Sequence, residues 1–318
     1  MPRFLKLAIV AVGVALAGCS SPPAAQTDPY AIVKTAASSP WERVQMDMGL
    51  KATSSGQTIQ IDPGAVSLVV DTKAGKGSFH LSLPASSLGA DAAGLAMLGG
   101  TNGSIDLDVL YDGDAVYAKS PLAATLLPAL LAQSGNVPSG DLTGWLKLAT
   151  KSEFEALAAG VGASAAPSAA DLGSLDAATL KSNLESGGVT VAYAGTAAHN
   201  GADAYHLTVA FDMSKLSSDS SLGSLSGAQL QQLADLSKAT TMGGDVWIDK
   251  GSGRLSEIDM KGTATGSTGG TFEFSMTFAE PAAGTSFDAP DSSVEVPISS
   301  LMGSIFQLAG QNPFGATP

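Results

Sequence analysis

Three histidines (His80, His199 and His206) and an acidic string (Asp106, Asp108, Asp112 and Asp114) are the residues whose types could do chemistry in this 318-residue chain. A zinc site needs ligands that converge, and no His-x-x-x-His or cysteine spacing supplies them. His80 and His206 fall on the polar faces of alternating segments and His199 falls in a turn, so all three read as surface histidines. The aspartates lack the spacing of an EF-hand loop, which runs to a glutamate at its twelfth position. Asp106 and Asp108, two residues apart, read instead as the solvated face of a strand. No Gly-x-Ser-x-Gly elbow, Ser-x-x-Lys pair, Walker loop or dinucleotide fingerprint occurs. No catalytic residue, metal or cofactor is therefore expected, and Trp41, Trp145 and Trp247 read as core anchors.

Cys19 is the only cysteine. Before it, Arg3 and Lys6 form a basic start and Leu7 to Ala17 an apolar run too short to span a bilayer comfortably. The run ends in Leu16-Ala17-Gly18-Cys19, the pattern of a bacterial lipobox. Small residues there let a signal peptidase approach the backbone, and the thiol accepts a diacylglyceryl group. This reading divides the chain into a signal peptide (1–18), a flexible tether (19–27, with Ser20 to Thr27 reading SSPPAAQT), a body (28–280) and a partly irregular extension (281–318). It places the protein on the extracytoplasmic face of a bacterial cell membrane, held by an acyl anchor such as palmitate. A lone cysteine also excludes intrachain disulfides.

Removing residues 1–18 leaves 14 basic against 29 acidic residues, a net charge of −15. Such a body is repelled by phosphate backbones, which excludes nucleic acid as a partner. Hydrophobic residues make up 44% of the chain but aromatics only 6%, with 37 glycines. That balance suits thin-walled sheets outside the cytoplasm.

Period-two alternation dominates. Val189, Val191 and Tyr193 lead into the turn His199-Asn200-Gly201, and Tyr205, Leu207, Val209 and Phe211 lead out, the strongest hairpin signal in the chain. Strands are expected over 41–53, 58–70, 77–83 and 271–278. Hairpins are expected over 104–119, with its tip at Asp112-Gly113-Asp114, and over 242–260, turning at 250–253. Asp28-Pro29 opens a short helix. Thr150 to Glu153 and Ser226 to Gln229 have capping-box spacing, and 176–185 reads as a helix. Residues 88–98 and 122–131 are strongly apolar, the second broken by Pro128. They fit either helices plugging a sheet or the rim of a lipid-sized cavity, since both demand the same residue types. The candidate rim residues are Leu88, Leu95, Met97, Leu98, Leu126, Leu127, Leu130 and Leu131. After Pro281 periodicity is lost.

The lipobox at Leu16 to Cys19, the Gly195-Thr196…Asn200-Gly201…Tyr205-His206-Leu207 hairpin and Asp245-Val246-Trp247-Ile248-Asp249…Leu255 together resemble the LolA-like superfamily, within it the LppX/LprG type of lipid-carrier lipoproteins. The resemblance covers about Asp28 to Glu280, and this chain is longer, with apolar insertions near Leu88 and Leu122 and a tail after Pro281. It implies an α+β fold in which a strongly curved antiparallel half-barrel carries helices on its concave face around an apolar cavity. The implied function is non-enzymatic binding or transfer of a lipid or lipoglycan. The alternative is an envelope sensor or interaction module that binds a partner protein on the same fold.

Overall fold

The computed structural model describes residues 26–54, 57–84, 104–132, 140–160, 173–212, 215, 240–265 and 269–296, with the backbone alone at 129–132 and 157–160. Cys19, Leu88, Leu95, Met97, Leu98 and the expected helix after Ser226 lie outside the described residues. The strands are β1 (Arg43–Ser54), β2 (Gln57–Asp71), β3 (Lys76–Pro84), β4 (Ser104–Tyr111), β5 (Ala115–Lys119), β6 (Leu146–Thr150), β7 (Val189–His199), β8 (Ala202–Phe211), β9 (Thr240–Asp249), β10 (Leu255–Ala264), β11 (Gly270–Ala279) and β12 (Val294–Glu295). The helices among the described residues are α1 (Pro29–Ala37), α2 (Pro121–Ala132), α3 (Lys151–Gly160) and α4 (Ala177–Ser186). The hydrogen-bonded order is β12-β6-β5-β4-β3-β2-β1-β11-β10-β9-β8-β7, an open sheet. Its pairings are antiparallel except β12 with β6. This is the expected α+β class.

The chain forms two compact units. Unit 1 holds residues 1–64 and 165–281, and unit 2 holds 65–164 and 282–318. In unit 1, Asn200 (φ 50°) and Gly201 (φ 83°) both adopt positive φ, as the tight hairpin turn between β7 and β8 requires. Asp28 caps α1 by accepting from the Tyr30 N–H at 3.0 Å, and Asp176 caps α4 through the Thr179 N–H at 2.8 Å. The two helices pack on each other and on β7. The unit's core, Ile32, Val44, Leu180, Leu207 and Ile248, is at most 2% exposed.

In unit 2 the capping box forms as its spacing predicts. Glu153 Oε2 accepts from the Thr150 N–H at 2.8 Å, and α3 follows. Pro128 does not break the apolar segment, since α2 runs through it to Ala132. A proline within a helix forfeits one backbone hydrogen bond. Here packing outweighs that cost: Leu127, one residue earlier, is buried in a cluster with Leu142, Leu146 and Val296. Beyond Pro281, two residues of the irregular stretch form β12, and Phe287 closes a second cluster with Leu110, Ala115 and Tyr117.

Candidate functional site

The register of unit 1 sorts its side chains into two faces. Met48, Met276, Ile258, Val246, Leu207 and Tyr193 stand directly opposite one another across six strands, from β1 to β7. The next row along is Leu50, Phe274, Met260, Gly244, Val209 and Val191, and the third is Ala52, Phe272, Gly262, Met242, Phe211 and Val189. Strand and residue spacings give these three rows about 24 by 14 Å of nearly unbroken apolar surface. Gly262 has a specific part in it, because a Cβ there would run into the ring of Phe272, which lies across the strand. At Gly244 a Cβ would run first into the Asp259 carbonyl oxygen, with the Met260 sulfur 2.8 Å from the same point. Met276, Ile258 and Leu207 are buried, while Leu50, Phe274, Met260, Phe272, Met242 and Phe211 are half-buried.

Unit 2 has an apolar face of its own. Val66, Leu81 and Leu107 form one line across β2, β3 and β4, and Leu68, Phe79, Val109 and Ala118 form the next, reaching β5. Val66, Leu68, Phe79, Leu81, Leu107 and Val109 are all half-buried. Helix α2 packs against β4. Of the expected rim residues on that helix, Leu126 is half-buried and Leu127 is packed in the cluster with Leu142. Leu130 and Leu131 lie near the helix end, with side chains outside the described residues.

The opposite faces carry the polar chemistry. In unit 2, His80 Nδ1 lies 2.7 Å from Asp108, and Asp106 accepts from the hydroxyls of Ser82 at 2.6 Å and Ser104 at 2.7 Å. These two hydroxyls hold the Asp106 carboxyl below its usual range. Asp112 Oδ1 accepts from the backbone N–H groups of Asp114 and Ala115 at the hairpin tip, both at 2.8 Å. The acidic string thus serves a strand face and a turn. No group of three or more His, Cys, Asp or Glu among the described residues is placed to hold a metal ion.

In unit 1 Trp247, expected as a core anchor, lies instead on the polar face. The indole is half-buried and stacks with both His199 and His206, each ring centroid 4.1 Å away and each plane within 4° of parallel. His199 is the last residue of β7 rather than part of the turn, and its Nε2 lies 2.8 Å from Glu257. His206 Nε2 lies 2.6 Å from Asp245. Beside them Asp259 is raised to about 6, first by burial and then by the neighbouring Glu257 carboxylate. A cleft of about 250 Å³ adjoins Asp259, lined also by Lys51, Gln60, Pro63, Lys261 and Glu273. Leu50, Ile61, Met260 and Phe274 border it too, so its lining mixes charged and apolar groups.

The glycines and Trp247 are the residues that sequence reasoning missed. For the glycines the one available signal was glycine inside a strand pattern, which marks close approach by another group.

No family model matches this chain, and no curated protein matches it. Among solved structures it is similar to LppX, a lipoprotein of Mycobacterium tuberculosis, at 11% identity and a TM-score of 0.32, covering 81% of this chain and 97% of that one. It is also similar to LprF from Mycobacterium bovis, at 12% identity and a TM-score of 0.36, covering 86% and 100%. A third is a lipoprotein-sorting protein domain from Vibrio parahaemolyticus, at 12% identity and a TM-score of 0.21, covering 82% and 94%. LppX-type lipoproteins, which the hairpin motifs resemble, are thus among the structures found. These likenesses concern the fold alone. Among the described residues no helix is long and apolar enough to cross a membrane.

Proposed function

We propose that this protein is a bacterial lipoprotein, held on the extracytoplasmic face of the membrane by acylated Cys19, that binds or transfers a lipid or lipoglycan without catalysing a reaction. The observation that carries this reading is the apolar face of unit 2, where Leu68, Phe79, Leu81, Leu107 and Val109 line up across three strands yet stay half-buried. A face built only to hold the fold together would be expected to bury such residues, as unit 1 buries Leu207 and Ile248. The half-buried rows of unit 1 at Leu50 and Phe272 support the same reading.

The driving force is hydrophobic. Each methylene moved out of water contributes about 0.8 kcal/mol, so acyl chains of ordinary length offset much of the cost of leaving a bilayer. Leu88, Leu95, Met97, Leu98, Leu126, Leu127, Leu130 and Leu131 form the rim in this proposal, with buried Leu127 anchoring α2.

The test is native mass spectrometry of protein purified gently from bacterial membranes. A copurifying lipid mass is expected, and Leu68→Asp and Phe79→Asp should lose it while keeping the circular dichroism of the parent. A wild-type chain with no bound lipid overturns the reading. Specific capture of an envelope protein by that lipid-free chain would replace it with the sensor function.

A further inference from the structure

We infer that one end of unit 1, the end carrying the β7–β8 turn at Asn200-Gly201 and the β9–β10 turn at Lys250-Gly251, faces the surface of the membrane that holds the acyl anchor. The inference rests on the acylation of Cys19 proposed above and adds to it the surface that meets the lipid headgroups.

Its basis is where the chain enters the fold. The Gln26 N–H donates to the Tyr205 hydroxyl at 3.4 Å, and Lys250 Nζ lies 5.8 Å from the centre of the same ring. Four residues later the entry is fixed. The Tyr30 hydroxyl donates to Glu185 at 3.0 Å and accepts from the Val191 N–H at 3.4 Å, and Tyr30 and Ile32 are 5% and 1% exposed. The entry therefore cannot swing freely over the body. Seven residue steps separate Cys19 from Gln26, which reach at most about 25 Å whatever path they take.

Strand geometry then decides which end lies near the anchor. Tyr205 is three residues from the start of β8, so the near turn is about 10 Å away along the strand. The far end of the paired strands, where Thr240 opens β9 opposite Ala264, lies eight residues beyond Ile248, the partner of Tyr205, or about 26 Å in the other direction. The tether can bring the near turns to the headgroups with length to spare. A body standing on its far end would hold the entry point about 26 Å above the headgroups, the whole length of a fully stretched tether.

Charge agrees. With residues 1–18 removed the body carries −15, while the tips at this end carry Lys250 and Arg254 against Asp203 and Asp249, with Glu257 3.0 Å from the Asn200 side chain. The Asp249 carboxylate is turned into its own loop, accepting from the Ser252 N–H at 2.6 Å and the Ser252 hydroxyl at 2.7 Å. Charges farther than about 8 Å from the surface are largely screened at physiological salt, so this tip of mixed sign, rather than the body's net −15, is what meets anionic lipid.

The experiment uses the full-length acylated chain in phosphatidylglycerol–phosphatidylethanolamine vesicles. Acylation consumes the thiol of Cys19, so an introduced cysteine is the only labelling site. A fluorophore is placed at Gly251→Cys, at Ala202→Cys, or at the far-end position Thr263→Cys, all exposed. Collisional quenching by headgroup-spin-labelled lipid is then measured. Both near-end labels should be quenched at least twofold more than the far-end label. Equal or reversed quenching overturns the orientation. Flotation of the wild type against Cys19→Ala is scored separately. If the two behave alike, the anchoring itself fails and the orientation falls with it, whereas intact anchoring with equal quenching refutes the orientation alone.

Discussion

In unit 1 the row Met276, Ile258 and Leu207 is 3%, 7% and 0% exposed, whereas in unit 2 none of Val66, Leu68, Phe79, Leu81, Leu107 and Val109 is buried. Both faces come from the same alternation of apolar and polar residues, so strand composition does not separate them. Their neighbours do. In unit 1, α1 and α4 pack on each other and on β7, bringing Ile32 and Leu180 into the core. In unit 2 the buried clusters lie elsewhere, around Leu127, Leu142, Leu146 and Val296 and around Leu110, Tyr117 and Phe287. The two Leu110 neighbours Tyr117 and Val69 share the polar-side register with Ser78, so this second cluster forms on the opposite side of the sheet from Phe79. The centre of one row in unit 1 is thus spent on stability, while the other rows of that face and the face of unit 2 remain partly available.

The largest effect should come from breaking the sealed face. Leu207→Ala removes a fully buried side chain and should cost 2–5 kcal/mol of stability, by about the usual range for such truncations, read by urea denaturation. Phe79→Ala in unit 2 should cost clearly less, while abolishing lipid copurification. Equal stability losses for the two variants would erase the distinction between the faces. Next in size is Gly262→Val, which forces the Phe272 ring off its strand. Overpacking of this kind costs about 1–3 kcal/mol. Gly262→Val combined with Phe272→Ala should recover part of that loss, because the collision is between those two residues.

Much of this fold was legible from residue types. The alternation at 189–199 and 202–211 gave a hairpin because Asn200-Gly201 is a pair that accepts two positive φ values in succession. The capping box at Thr150 and the Asp-Pro start were legible because each needs one side chain and one nearby N–H. What periodicity does not encode is which apolar face another element covers, and so the difference between Leu207 and Leu81 could not be read. Nor could the Trp247 stack. His199 lies 58 residues from Glu257 in sequence, and only the register of the three pairings from β7 to β10 brings that imidazole onto the indole. The pair Val294–Glu295 is too short to show a period at all.

A smaller loss is expected from Trp247→Ala on the polar face of unit 1. Two stacking contacts disappear, each worth about 0.5–1.5 kcal/mol by analogy with aromatic pairs, and partial exposure places the sum toward the lower end. A thermal melt would measure it, and no change would show that the stack contributes nothing to unit 1.

The finest contrast between the units is the sign of their pH dependence. Asp259 in unit 1 has a folded value of about 6 against an ordinary 3.8, so the folded state binds that proton more tightly. Its contribution to stability is fully present below about 3.8 and is lost as pH rises through about 6. Asp106 in unit 2 is shifted down by the Ser82 and Ser104 hydroxyls, so its contribution is present above the ordinary carboxylate value and is lost as pH falls through the depressed one. Asp259→Asn should therefore gain stability relative to wild type as pH rises from 4 to 7. Asp106→Asn should lose relative stability on going from acid to neutral pH. Urea midpoints from pH 2 to 7 for the two variants would separate them, and parallel rather than opposed trends would show that the polar faces of the two units do not differ in this way.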